Sequence, residues 1–316
     1  VLALLPKRLL GAEYGSLNLL KILDPLSEPV YGDLYFELHE EKREVYVVTH
    51  VDRQSWPDGE GAIRFGFDVS VRDEFDGPDE FRQSYLETVQ DYEQVRRKID
   101  RAFDQNRRDL GLGLNRPVEP GLLKQWHKQL TPELQQEEEV LREAMNRFTH
   151  MQGLREGDVV KVPCLTPHAL QHGVRTVEFQ TPVYERKILS FGQKVLTQDC
   201  WDTTEAVALM SLQSEADQQL DVLEEAQGLL REQVVAFDDF QVQRITLSPG
   251  TCWQIPVTAS YKLLMVVAGE IDLGADAAPL KAEQAVLLPA LGSPTVITNC
   301  GREDGIVLLS QPLAAI

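Results

Sequence analysis

Cysteine is scarce in this 316-residue chain, and Cys164, Cys200, Cys252 and Cys300 stand too far apart to form a Cys-x-x-Cys pair. That argues against a thiolate zinc site and against a disulfide framework, and a reducing compartment fits best. Positive charge is also in deficit: 31 Lys and Arg face 50 Asp and Glu, a net charge of -19. Such a surface repels phosphate backbones, so no nucleic-acid partner is expected, and a phosphorylated small molecule would need its own basic pocket. No apolar run reaches the ~18 residues of a membrane span, so no membrane partner is expected either. Val1 to Leu10 is apolar but lacks the h-region and cleavage site of a signal peptide, which gives the expectation of a cytoplasmic protein. Histidine is missing from Val234 onward, so metal chemistry is expected in the earlier part of the chain.

What is present is an ordinary packed-core composition, 43% apolar and 26% charged, in a chain longer than the ~250 residues at which single cores stop growing. Asn18 to Leu23, Asp33 to His39 and Glu44 to Val51 read as strands, with Glu40 to Arg43 as the four-residue loop of a hairpin. Phe81, Tyr85, Val89, Tyr92, Val95, Ile99 and Phe103 then recur at helical spacing, a core-packing stripe. Short strands return at Asp158 to Val162 and Arg175 to Gln180, and again after Val234, separated by turn residues. Leu220, Leu223, Ala226 and Leu230 suggest one apolar stripe on a helical connector.

The expected fold class is mostly β, with two sandwiches or barrels and an α-helical insertion. The expected units are a first β domain over 1–78 and 151–211, a helical insertion over 79–150, a helical connector over 212–233 and a second, histidine-free β domain over 234–316.

Side chains alternate across a strand, so Glu37 and His39 share a face, and the expected hairpin brings Glu44 opposite His39. His168, behind the rigid turn Pro163-Cys164-Leu165-Thr166-Pro167, completes a candidate set of two imidazoles and two carboxylates. Such a set suits Zn2+, with Mn2+ or Fe2+ less selectively. Glu-x-His on an exposed strand is otherwise an ordinary solvated surface. His50, His127, His150 and His172 read as structural or surface residues.

Gly157-Asp158-Val159-Val160-Lys161-Val162-Pro163, Thr166-Pro167-His168-Ala169-Leu170 and Val177-Glu178-Phe179-Gln180 resemble the second half of the metal-binding cupin of type I mannose-6-phosphate isomerases. In that family a Thr-x-His-Ala turn supplies a metal histidine, a role that passes to His168. The family's Gln-x-His and Lys-Thr-Glu stretches correspond to Glu37-Leu38-His39 and Lys42-Arg43-Glu44, so Glu37, His39 and Glu44 take ligand roles and Lys42 that of the active-site lysine. In Tyr184-Glu185-Arg186-Lys187, Lys187 falls on the family's catalytic arginine, with Arg186 beside it.

The resemblance implies two cupin jelly-roll barrels with an α-helical insertion, the first cupin metal-binding and the second, over 234–316, metal-free, and a metal-dependent aldose-ketose isomerase acting on a sugar phosphate through an enediol. Two other readings share the barrel. Glu37 in place of Gln cancels a divalent charge together with Glu44, and the loop after His39 is shortened, both of which suit a catalytically inactive metal- and sugar-binding cupin. A metal-dependent cupin oxygenase is the third.

Overall fold

The computed structural model describes residues 6–15, 17–212, 219–274 and 278–313. After a short helix, α1 (Lys7–Leu10), the chain lays down β1 (Leu19–Leu23), β2 (Phe36–Leu38), β3 (Glu44–Val51) and β4 (Gly61–Phe67). Four helices follow: α2 (Val69–Arg72), α3 (Pro78–Asp109), α4 (Pro120–Lys128) and α5 (Pro132–Asn146). The chain then returns through β5 (Thr149–Leu154), β6 (Val159–Val162), β7 (His168–Leu170), β8 (Val174–Gln180) and β9 (Lys187–Ser190). These nine strands form two sheets, β1-β8-β3-β6 and β5-β4-β7-β2-β9, with antiparallel pairing throughout.

The sheets face each other as an open sandwich of the cupin type and do not close by hydrogen bonding into a barrel. Tyr46, Val48, Val160 and Val174 of one pack against Ile63, Phe65 and Leu170 of the other. The mostly β fold class holds.

The expected β2–β3 hairpin does not form. β2 pairs with β7 and β9, whereas β3 pairs with β6 and β8, so the segment 39–43 crosses between the sheets. A carboxylate sets the crossing: Glu185 accepts the backbone N–H of Glu40 at 2.5 Å and those of Glu41 and Lys42 at 3.4 Å.

The helical stripe is as expected. Pro78 occupies the first turn of α3, Asp79 and Glu80 complement its positive end, and Arg107 and Arg108 its negative end. Phe81, Tyr85, Val89, Tyr92 and Val95 are buried against Phe36, Leu38, Phe67 and Ile188, which covers the outer face of the five-stranded sheet. A further helix, α6 (Thr203–Leu209), packs beside β9.

The expected helical connector over 212–233 is corrected by the structure. Gln213 to Gln218 lie outside the described residues, and the rest enters a β-hairpin of β10 (Asp221–Ala226) and β11 (Leu229–Ala236). Gly228, at φ 76°, makes the two-residue turn possible, and a Cβ there would lie 2.4 Å from Thr251 Oγ1. The spacing of Leu220, Leu223 and Ala226 imitates a helix, but pairing of β11 along β12 (Phe240–Leu247) decides the backbone. Charges meant for a helix surface become cross-strand pairs, Arg231 with Glu224 at 2.5 Å and Arg244 with Glu232 at 2.8 Å.

The remaining strands are β13 (Cys252–Ile255), β14 (Lys262–Ala268), β15 (Glu270–Asp272), β16 (Leu280–Lys281), β17 (Ala285–Leu288), β18 (Thr295–Asn299) and β19 (Gly305–Pro312). They complete a second sandwich from sheets β10-β11-β12-β19-β14-β17 and β13-β18-β15-β16. Its larger sheet packs flat on the first sandwich: Val234, Phe240, Val242, Met265 and Leu308 meet Val45, Val47, Val177 and Phe179. β3 is therefore buried on both faces, with Glu44, Tyr46 and Val48 turned inward and Val45 and Val47 turned to the second sandwich.

Candidate metal centre

The register of the five-stranded sheet places Glu37 directly opposite His168, and antiparallel partners share a face. His39, two residues beyond Glu37, points the same way. The donor atoms of Glu37, His39 and His168 lie within 4.8 Å of one another. Glu44 reaches the group from the facing sheet, its Oε2 3.2 Å from His168 Nε2 and 3.6 Å from His39 Nε2. The four residues nominated from the sequence therefore meet, across the gap between two sheets.

Both imidazoles are oriented from behind. His39 Nδ1 is 2.9 Å from the Glu185 carbonyl and His168 Nδ1 is 3.0 Å from the Thr166 carbonyl. A carbonyl can only accept, so each Nδ1 carries the proton and each Nε2 is left as a lone-pair donor facing the carboxylates. His39 Nε2 and Glu37 Oε2 are buried with no hydrogen-bond partner, an arrangement that costs free energy unless a further group is bound. The residues present fit a divalent ion in donor type, in ring orientation and in these orphaned atoms.

The carboxylates are matched by cations. Lys42, 8% exposed, places Nζ 2.5 Å from Glu44 Oε1. Arg186 stacks over Tyr35 at 4.8 Å, donates to Thr197 at 2.7 Å and brings Nε 3.9 Å from Glu37 Oε2. Lys187 is not brought to the cluster: its ammonium is held by Glu205 at 2.8 Å and Glu40 at 3.2 Å. The arginine beside the expected position is the one that reaches Glu37.

Sequence reasoning missed Tyr46 and Glu178 as members of the site. Tyr46 donates from its hydroxyl to Glu44 Oε2 at 2.7 Å, and strand alternation from Glu44 could have found it. Burial, then the neighbouring Glu44 charge, push the Tyr46 hydroxyl well above its usual range. Burial also pushes the Glu44 carboxyl up, but in the metal-free chain the hydrogen bond from a protonated His168 Nε2, with the positive charge of the protonated His168 and His39 rings, outweighs it and holds Glu44 well below the usual carboxylate range.

Glu178 is buried, paired with Lys21 at 3.0 Å and hydrogen-bonded to Glu44. Burial, followed by the Glu44 charge, pushes its carboxyl up to about 8. The folded chain thus keeps a proton that the unfolded chain loses near the ordinary carboxylate value, so the contribution of Glu178 to stability is full at low pH and is lost as pH rises toward 8. In metal-free protein Glu178→Gln flattens that decline, which melting curves at about pH 5.5 and about pH 8.5 measure. An unchanged pH dependence would show that Glu178 is ionised in the folded state.

His50, 3.2 Å from Glu156, is half-exposed, and His172 stacks on Trp56 while pairing with Asp33 at 2.7 Å, so both serve the surface and local packing as expected. Among the described residues no helix is long and apolar enough to cross a membrane.

No protein-family model matches the chain, and no curated protein matches it. Solved structures do. The apo form of mannose 6-phosphate isomerase from Salmonella typhimurium superimposes with a TM-score of 0.61 at 14% identity, covering 98% of this chain and 84% of that one. Mannose 6-phosphate isomerase from Bacillus subtilis gives 0.57 at 13% identity, covering 93% and 74%. Over nearly its whole length, then, this chain shares the fold of the solved mannose 6-phosphate isomerases.

Proposed function

We propose that the protein is a metal-dependent aldose-ketose isomerase acting on a sugar phosphate of the mannose 6-phosphate kind. The observation that carries this reading is the pair of imidazoles, His39 and His168, clamped at Nδ1 and aimed through Nε2 at Glu37 and Glu44. A divalent ion held there, Zn2+ by donor type, supplies positive charge to the oxygens of a bound sugar. Two carboxylates alone would cancel that charge, but Lys42 on Glu44 and Arg186 near Glu37 return positive charge to the site.

Lys42 is placed to hold a sugar oxygen or to exchange a proton with it, and Arg186 offers a planar donor pair to a second oxygen. A cavity of about 720 Å3 opens between α3, α4, α5 and the segment after β9, and it includes Tyr35, the ring that Arg186 covers. Arg96, Arg107, Lys124, Lys128, Arg142 and Lys194 line it beside Glu138 and Glu139, and all but Lys128 stand in ion pairs, so a phosphate settling there would compete with Asp100, Asp104, Glu28 and Glu138 for them.

The test is conversion of mannose 6-phosphate to fructose 6-phosphate by metal-reconstituted protein. Turnover is expected, with Lys42→Met lowering kcat by on the order of 100-fold or more, the scale of a positioned acid-base group. A metal-loaded protein that binds the sugar phosphate without turnover would replace this reading with that of a binding cupin.

A further inference from the structure

The second sandwich also carries polar groups between its sheets, of the opposite sign. Gln241 pairs with Gln311 and Gln243 with Leu309 across β12 and β19, which puts these side chains on the inner face beside the buried Ile245 and Leu309. Lys262 of β14 and Arg231 of β11 join them, and Trp253 closes the group from the facing sheet. Together they line a cavity of about 130 Å3 whose walls contain no carboxylate.

The two cations are under-satisfied. Lys262 is 5% exposed, and its Nζ donates to Thr258 Oγ1 at 2.6 Å with no carboxylate in ion-pair range among the described residues. Burial pulls its amine below the usual lysine value, as expected for an ammonium without a counter-charge. Arg231 stacks over Trp253 at 4.6 Å and spends Nη1 on Glu224 and Nη2 on Gln243. Its Nε is buried with no acceptor. An isolated buried cation is costly, and in a chain of net charge -19 the enclosed positive site stands out.

We propose that the mouth of the second sandwich binds a small oxyanion, of the phosphate or short-chain carboxylate class, between Lys262 and Arg231. The oxyanion accepts from Lys262 Nζ and Arg231 Nε, and the amides of Gln241 and Gln311 are at hand as further donors. The volume corresponds to roughly four waters at ~30 Å3 each, enough for a phosphate or a two- to three-carbon acid and too little for a hexose phosphate. The site is separate from the imidazole cluster, which belongs to the other sandwich.

Calorimetric titration of the full chain with inorganic phosphate, and separately with acetate, at constant chloride and with EDTA present, tests this. Saturable binding of at least one anion is expected, with a matching rise in melting temperature, and the tighter of the two identifies the class. Lys262→Met should weaken that binding tenfold or more while raising the melting temperature of the anion-free protein. Arg231→Gln should also weaken it, and serves if the first variant does not fold. Absence of saturable binding by either anion, or binding that survives both substitutions, overturns the proposal.

Discussion

His168→Ala is expected to strip the protein of the divalent ion proposed for this cluster: the unmodified chain should retain a full equivalent after dialysis, and the variant almost none. Loss of an outer hydrogen-bond partner of a metal ligand costs ~10–100-fold in affinity, and loss of the ligand itself costs more. The residue is central to the cluster, opposite Glu37 in register, 3.2 Å from Glu44 and fixed by the Thr166 carbonyl. Metal content read by mass spectrometry on dialysed protein, with a melting curve on the same sample to show that the variant folds, decides the matter. A folded His168→Ala protein with its full metal equivalent would disprove the site. His39→Ala should behave alike, since its Nε2 faces the same carboxylates.

The largest stability effect is expected at Phe179, on the face of β8 turned away from the cluster. This ring is fully buried between the two sandwiches, packed among Val45, Val47 and Val177 on one side and Val234, Phe240 and Met265 on the other. Removal of a buried phenyl ring typically costs ~3–5 kcal/mol, because transfer free energy and cavity formation act together. Phe179→Ala should lower unfolding stability by that amount in denaturant titration, with both sandwiches melting in one transition. A change below ~1 kcal/mol, within the range of ordinary surface substitutions, would show that the interface is not packed as described.

The convergence of the candidate residues was legible because it depends on strand parity. Glu37 and His39 share a face whichever strand lies beside them, and Glu44 points inward whether β3 follows β2 as a hairpin partner or crosses to the other sheet. The expected pairing was therefore wrong while the convergence was right. Local spacing carries no information about which strands become neighbours, and the Glu185 carboxylate that fixes the crossing is about 140 residues distant.

Lys187 and Arg186 show the opposite case. The β2–β9 register shifts beside Glu37, and one residue of slip exchanges the side chain that reaches the cluster for its neighbour. Motif alignment has no access to such a shift. The hairpin of β10 and β11 was misread because its leucines fall at helical intervals, and only the long partner strand β12 overrides that pattern. By contrast, α3 was plain from its seven-residue stripe, which is buried along its length.

Burial of β3 on both faces has a consequence for anyone dividing this chain. A fragment ending before β10 would leave Val45, Val47, Val177 and Phe179 as a contiguous greasy wall in water, on the reverse side of the strands that carry Glu44 and Glu178. Such a truncated piece is expected to self-associate through that wall. The two sandwiches therefore do not make two separable products, and the second acts as the cover over the apolar wall of the first.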